Sequence, residues 1–143
     1  MIYLYTDGAC HVKQGIGGFS YLIVKDNVIY KHYSQQALKT TNNRMELSAV
    51  IYGLQAIYND KNLNDIKEIN VVSDSSYVVL AINKGWLNKW KEDSYVNRLN
   101  SDLWRQLDKL IHLRKINFIW IRGHNGNQYN ELCDKLAVAA SNK

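Results

Sequence analysis

Side chains in the opening part of the chain alternate between two faces with a period of two residues, which is the pattern of a half-buried β-strand. Residues 1–7, MIYLYTD, follow this pattern, and so do residues 19–25 and 28–34. The later two segments are separated by Asp26 and Asn27, which tolerate the left-handed backbone of a tight hairpin turn. The pattern therefore predicts three antiparallel strands at the start of the chain.

From residue 44 the apolar positions recur every three or four residues, which predicts an amphipathic helix over 44–58. Gly85 is expected to end the next helix, because glycine is favoured just past a helix end. In chain order, the remaining pattern predicts a strand over 66–74, a helix over 75–85, one further helical turn, a helix over 98–113, a strand over 115–123 and a helix over 130–143.

Strands and helices in this order describe one α/β domain, residues 1–143, with a five-stranded mixed sheet flanked by helices. A helix crosses between the first and fourth strands, so these two strands are expected to run parallel. The hydrophobic content of 46% suffices for one core, and no linker or repeat marks a second unit. The last two long helices are expected to face the core with Leu99, Leu103, Leu107, Leu110 and Ile111, and with Leu132, Leu136, Ala139 and Ala140.

Membrane and extracellular classes are disfavoured by the sequence. No apolar run approaches the roughly 20 residues of a membrane span, and the first residues lack the basic lead of a signal peptide. Cys10 and Cys133 lie far apart and without the spacing of a metal-ligand pair, so both are expected to be reduced thiols. We expect a soluble, cytoplasmic monomer.

The net charge is +5, and most of the excess lies in one region. Between residues 84 and 115, eight basic and four acidic residues are interleaved with four large aromatic residues. This mixture suits a nucleic acid, because phosphates attract cations and sugar faces pack against aromatic rings. The alternative is a solvated helix surface whose tryptophans belong to the core. The aromatic residues in question are Trp86, Trp90, Tyr95 and Trp104.

Four carboxylates stand at predicted element ends. Asp7 closes the first strand, Asp74 closes the fourth, Glu46 enters the first long helix, and Asp134 lies early in the last one. Because ligand sites form beyond the carboxyl ends of parallel strands, Asp7 and Asp74 are expected to converge. Converging carboxylates repel each other unless a cation neutralises them, and hard oxygen ligands select Mg²⁺ or Mn²⁺.

Each of these acids also has a separate explanation without a metal. Asp74 precedes Ser75 at a helix start and is a candidate helix cap. Glu46 and Asp134 would complement a helix dipole if they lay in the first turn, and Asp7 before Gly8 would suit a plain turn. Spacing alone leaves these alternatives open.

Six motifs carry a resemblance that covers nearly the whole chain: YTDGAC, TTNNRMEL, SDSSYV, DLWRQLD, WIRGHNG and NELCDKLA. In order and spacing they resemble type 1 ribonuclease H, in its bacterial single-domain form. The resemblance implies a ribonuclease H-like fold. It also implies endonucleolytic cleavage of the RNA strand of RNA/DNA hybrids with two Mg²⁺ ions, for which Mn²⁺ can substitute, leaving 3′-hydroxyl and 5′-phosphate ends.

The resemblance also implies roles for individual residues. Asp7, Glu46, Asp74 and Asp134 match the family's metal-binding acids, and His124 matches its catalytic-loop histidine. Contacts to the RNA 2′-hydroxyls fall on Cys10, Asn42, Asn43 and Glu46. Thr41 matches the family's phosphate pocket for the DNA strand. The positions of the basic protrusion that contacts the same strand match Lys39, Lys89, Trp86 and Trp90.

The chain departs from the family pattern at several of these positions. Lys13 stands where a substrate-contacting asparagine is usual, Ser76 replaces a common glutamine, and Lys89 replaces an asparagine. The segment 91–101 is shorter than in members with a large basic protrusion, and it includes Glu92 and Asp93. We expect weaker hybrid affinity with a shallower salt dependence, without loss of cleavage.

Two other functions remain open at this point. One is a non-catalytic module that binds hybrids, although clustered negative charge opposite a phosphate has no purpose in pure binding. The other is a related nuclease of the same fold, either one that cuts DNA junctions or a domain of a reverse transcriptase. The asparagine-rich TTNNRMEL favours ribonuclease specificity over junction cleavage.

Overall fold

One five-stranded mixed sheet organises the computed structural model, which describes residues 1–123 and 126–143. The strands are β1 Ile2–His11, β2 Ile16–Lys25, β3 Val28–Ala37, β4 Glu68–Ser73 and β5 Lys115–Trp120. Their order in the sheet is β3-β2-β1-β4-β5, and this confirms the predicted fold class.

The strand directions follow from the connections. The hairpins make β1, β2 and β3 antiparallel, and the β2–β3 turn places Asp26 and Asn27 at φ of 52° and 66°, as its residue types predict. The crossovers make β4 parallel to β1, and β5 parallel to β4. The predicted parallel pairing of the first and fourth strands is confirmed.

In the described part of the chain the sheet is flanked by helices, with α1 (Asn42–Tyr58) and α4 (Ser101–Ile111) on one face and α5 (Gln128–Ser141) on the other. The main core lies between the sheet and α1 and α4, where Trp104 is completely buried. A 3₁₀ turn at Lys61–Leu63 was not predicted, because three residues are too few to show a period. The helices are α1 Asn42–Tyr58, α2 Ser76–Asn83, α3 Trp86–Glu92, α4 Ser101–Ile111 and α5 Gln128–Ser141. Within the described residues, none of these helices is both long and apolar enough to span a bilayer.

Helix α4 begins three residues later than predicted. Asn100, directly before it, has a left-handed backbone with φ of 63°, so the helical spacing cannot extend back through it. Leu99 consequently lies outside the helix and is 84% exposed, and its predicted place on the apolar stripe is wrong. Leu103 and Leu107 are buried as predicted.

The face that α5 turns to the sheet also differs from the prediction. Ala140 is buried and Leu136 is half-buried, as predicted, but Leu132 and Ala139 are exposed, and Cys133 and Ala137 are buried instead. Gly18 on β2 explains the difference, because a Cβ at Gly18 would lie only 2.6 Å from the backbone nitrogen of Ser141. The helix and the strand approach so closely that small side chains, rather than leucines, form the contact.

Candidate active site

Asp7 lies inside β1 rather than at its end. The strand continues to His11 because it keeps pairing with β2, whereas its parallel pairing with β4 stops at Tyr5 and Val72. The prediction that Asp7 closes the strand, and the alternative that it is a turn residue, are therefore wrong. Its carboxylate nevertheless lies just beyond the parallel pair, and the residue is only 3% exposed.

Glu46 reaches Asp7 because α1 and β1 approach closely. A Cβ at Gly8 would lie 2.6 Å from the backbone nitrogen of Glu46, so only glycine fits at this point of the strand. The helix begins at Asn42, and Thr41 caps it by accepting a hydrogen bond from Arg44 at 3.2 Å. Glu46 is thus the fifth residue of α1 and lies beyond its first turn, which rules out the helix-dipole explanation.

Asp74 directly follows β4 and does not cap α2. The cap is Ser75, whose hydroxyl accepts a hydrogen bond from the backbone nitrogen of Val78 at 3.3 Å. Asp134 is the seventh residue of α5, and the acid in the first turn of that helix is Glu131. The capping and dipole explanations are therefore wrong for these two acids as well.

Three of the four acids converge into a tight group. Asp7, Glu46 and Asp74 each offer a carboxylate oxygen, and these oxygens all lie within 4.8 Å of one another. Asp134 is outside this group, but its charge lies close enough to Asp7 to raise the pKa of that residue by repulsion. Within residues 1–123 and 126–143, Asp7 Oδ2 and Glu46 Oε1 are buried without a hydrogen-bond partner. Unpaired buried carboxylate oxygens are costly unless a cation or a proton joins them.

The electrostatics of the group confirm that it is short of positive charge. Burial, followed by repulsion from Asp74, raises the pKa of Asp7 to about 8. Burial, followed by repulsion from Asp7 and Asp74, also raises the pKa of Glu46 well above its ordinary value. A divalent cation would remove this repulsion, and carboxylate oxygens are the ligands that Mg²⁺ prefers. The residues present therefore fit a divalent metal site.

Two clefts lie beside the start of α1. The first, of about 360 Å³, is lined by Cys10, Val12 and residues 40–43. The second, of about 270 Å³, is lined by Asn43, Tyr77, Trp90, Asn97, Arg98, Leu99 and Trp104. Asn43 borders both, so the start of α1 stands between them. Four residues predicted to contact substrate, Cys10, Thr41, Asn42 and Asn43, line the first cleft, and Trp90 lines the second.

The other predicted contacts lie at the surface around these clefts. Lys13, Lys39, Ser76 and Lys89 are exposed, and Trp86 is 41% exposed. The tryptophans of this region divide between the two alternatives, because Trp104 is in the core whereas Trp86 is at the surface. Trp90 is partly buried and packs against Trp104. His124 lies outside the described residues.

A polar network that we did not predict joins the start of α1 to α2 and α4. Arg44 donates two hydrogen bonds to the carboxylate of Asp102, at 3.0 and 2.8 Å, and one to Asn100 at 3.3 Å. Asn100 donates to the hydroxyl of Tyr77 at 3.0 Å, and Trp104 donates to the same hydroxyl at 3.1 Å. Arg44 lies within TTNNRMEL, at the start of the predicted helix. A charged residue at the start of an apolar helix pattern was the sequence feature that could have indicated this network.

Comparison with known proteins decides the family. A sequence profile described as RNase H matches residues 1–142. This chain belongs to the RNase H family. The family consists of hydrolases that act on the RNA of RNA/DNA hybrids and depend on divalent metals.

Individual relatives agree with this assignment. The Ribonuclease H of Trichodesmium erythraeum is 42% identical over 147 aligned positions, which cover 99% of this chain and 89% of that protein. The Ribonuclease H of Desulforamulus reducens is 40% identical, with coverage of 98% and 87%.

Solved RNase H folds superpose well on the structure. The crystal structure of LC9-RNase H1, a type 1 RNase H with the type 2 active-site motif, has a TM-score of 0.81 at 24% identity and covers 99% of this chain and 72% of that one. A foamy viral protease-reverse transcriptase in complex with RNA/DNA hybrid has a TM-score of 0.83 at 21% identity, covering 98% of this chain and 20% of the viral one. At these identities the likeness concerns the fold.

Proposed function

We propose that this single domain, residues 1–143, cleaves the RNA strand of RNA/DNA hybrids by endonucleolytic hydrolysis with two divalent ions, leaving 3′-hydroxyl and 5′-phosphate ends. The observation that carries the proposal is the acid group, in which Asp7 and Glu46 each hold a buried, unpartnered carboxylate oxygen beside Asp74. The family assignment and the hybrid bound by the foamy viral relative supply the substrate class.

The residues of the site are proposed to have two kinds of role, which are to hold the ions and to act on the reacting groups. Asp7 stands centrally, because it interacts with Glu46, Asp74 and Asp134, and it is the best candidate for a ligand shared between two ions. When bound, Mg²⁺ or Mn²⁺ would activate the attacking water and neutralise the charge that develops on the leaving 3′ oxygen. His124, between two glycines, is proposed to transfer a proton to the leaving group or to help release the product.

The two clefts suggest how the two strands are told apart. The first cleft, lined by Cys10, Asn42 and Asn43, is proposed to read the 2′-hydroxyls of the RNA. The second cleft offers aromatic rings, including Trp90 with Arg98 stacked 5.2 Å above it, and is proposed to hold the DNA strand. The hydroxyl of Thr41 accepts a hydrogen bond in the helix cap, and it can still donate its own proton to a phosphate.

The proposal is tested by gel-resolved cleavage of four labelled duplexes: the hybrid, RNA–RNA, DNA–DNA, and a duplex with a single ribonucleotide. Each is incubated with Mg²⁺ or EDTA and with wild type, Asp7→Asn or the control Asp65→Asn, which removes an exposed acid outside the group. We expect metal-dependent cutting of the hybrid's RNA strand by wild type and Asp65→Asn only. A wild type that binds the hybrid but never cuts it would instead establish a binding module.

A further inference from the structure

Trp120, at the end of β5, is only partly buried but makes a specific hydrogen bond. Its indole nitrogen donates a hydrogen bond to the backbone oxygen of Asp74 at 3.1 Å. The side chain is 47% exposed, so it contributes far less to the core than the fully buried Trp104. The neighbouring backbone also holds β4, because Ile121 donates to the backbone oxygen of Ser73 at 3.0 Å.

The backbone around Asp74 is fixed from the other sides by its own neighbours. Ser73 ends the ladder of β4, and its hydroxyl accepts a hydrogen bond from the backbone nitrogen of Ser75 at 3.0 Å. Ser75 in turn caps α2. The peptide oxygen of Asp74 lies between the end of the strand and the start of the helix, and it accepts the hydrogen bond from the indole of Trp120.

The segment after β5 also limits where the carboxylate of Asp74 can go. A Cβ at Gly123 would lie 2.9 Å from Asp74 Oδ2, so this glycine stands directly against the carboxylate. Trp120 therefore contacts the backbone of Asp74, and Gly123 lies against the side chain of the same residue.

We propose that Trp120 is a positioning residue of the metal site, which holds Asp74 where its carboxylate can share a divalent cation with Asp7 and Glu46. This inference rests on the proposed function. Metal affinity depends on the orientation of each ligand, and outer contacts that fix a ligand typically change affinity by about 10- to 100-fold. Trp120 acts through the backbone of one ligand of a larger set, so a smaller effect is expected.

The test is a calorimetric titration of Mg²⁺ into the substrate-free protein, comparing wild type with Trp120→Phe. The control is Tyr30→Phe, which alters a partly exposed aromatic residue, at 37%, and removes its hydrogen bond to Asp60 at 2.8 Å. We expect about 3- to 10-fold weaker Mg²⁺ binding in Trp120→Phe and unchanged binding in Tyr30→Phe. The Mg²⁺ concentration for half-maximal cleavage should rise by the same factor in Trp120→Phe, with the rate at saturating Mg²⁺ retained.

A second variant keeps the test decisive if Trp120→Phe fails to fold. Gly123→Ala leaves the indole in place but pushes the carboxylate of Asp74 away, and it should also weaken Mg²⁺ binding. Equal Mg²⁺ affinity in wild type and in the folded variants would overturn the positioning role alone. A wild type that binds no divalent cation would overturn the proposed metal site, and the positioning role with it.

Discussion

The acid group and the segment that joins α3 to α4 are built by opposite means. The acids are placed by backbone: Asp7 by the ladder of β1, and Glu46 by the close approach at Gly8. Residues 93–100 form turns without helix or strand, and they are held by local backbone hydrogen bonds together with side chains of the flanking helices. Arg105 donates to the backbone oxygen of Ser94 at 2.8 Å, and Lys91 pairs with the buried Asp108 at 3.0 Å. The comparison teaches that changes in the first region should alter chemistry, whereas changes in the second should alter substrate affinity.

The largest effect is expected from Glu46→Gln. This variant keeps the shape of the side chain but removes a charge from the acid group, and the loss of several kcal/mol of charge stabilisation lowers the cleavage rate by about a thousandfold. Single-turnover cleavage of the hybrid measures it. The matched control is Glu131→Gln, which removes the first-turn acid of α5 and should cleave at the wild-type rate. Similar rates in the two variants would show that position within the group does not matter.

The acid group should also make the metal-free protein less stable as the pH rises. The pKa of Asp7 is raised to about 8 in the folded state, so between about pH 4 and pH 8 the folded protein binds more protons than the unfolded chain. The free energy of unfolding in EDTA therefore falls as the pH rises through this range. Denaturant unfolding at pH 5 and pH 8 measures the change.

Asp7→Asn sharpens this prediction, because it removes the titrating group. At pH 8 in EDTA the variant should be more stable than wild type by several kcal/mol, because the pKa of Asp7 is raised from 3.8 to about 8 in the folded protein and each pKa unit corresponds to about 1.4 kcal/mol. At pH 5 the difference should be much smaller, because most of the pH range in which the folded protein binds the extra proton lies above pH 5. A variant that is less stable than wild type at both pH values would mean that the acids hold the fold together.

The α3–α4 segment is tested by Asp108→Asn. The change removes the charge that holds Lys91 and His112, at 3.0 and 3.2 Å, and should loosen the segment beside Trp90. We expect an increase in KM of about three- to tenfold with kcat nearly unchanged, and a loss of stability of about 1 kcal/mol, because Lys91 is largely exposed. Steady-state kinetics on the hybrid measure both constants. Asp65→Asn, which removes an exposed acid outside this segment, is the control, and a fall in kcat without a change in KM would contradict the division between the regions.

The smallest effect concerns salt. Glu92 and Asp93 offset the positive charge of the segment, so hybrid affinity should fall less steeply with salt than in an enzyme with a full basic protrusion. Replacing both acids with Gln and Asn should strengthen binding a few-fold at low salt, as expected when like charges leave a phosphate surface. Titration of hybrid binding at several salt concentrations checks both statements. A slope equal to that of a full-protrusion enzyme would refute the expectation.

Sequence periodicity predicted most of the fold because the sheet is specified locally. The hairpin turn at Asp26 and Asn27 and the crossover between β1 and β4 each follow from residue types and connection lengths. The start of α4 was missed because Asn100 takes a left-handed conformation that a run of leucines conceals. The buried face of α5 was missed because it depends on Gly18, which lies on another element.

The three acids that converge were also singled out from the sequence, but the reason for their positions was not. Motif spacing singled out Asp7 and Glu46, whereas the close approach at Gly8 that joins them depends on tertiary packing. The contact from Trp120 to Asp74 and the network around Arg44 join residues far apart in the chain. Such pairs leave no periodic signal in a single sequence.

The most direct test of the acid group as a cation site is Mg²⁺ titration by calorimetry at pH 7 in two buffers of different ionisation enthalpy. The raised pKa values of Asp7 and Glu46 predict that Mg²⁺ binding releases protons, and that Asp7→Asn binds weakly and releases fewer. Binding that releases no proton and is unchanged in Asp7→Asn would contradict the account, because the ion would then lie outside the group.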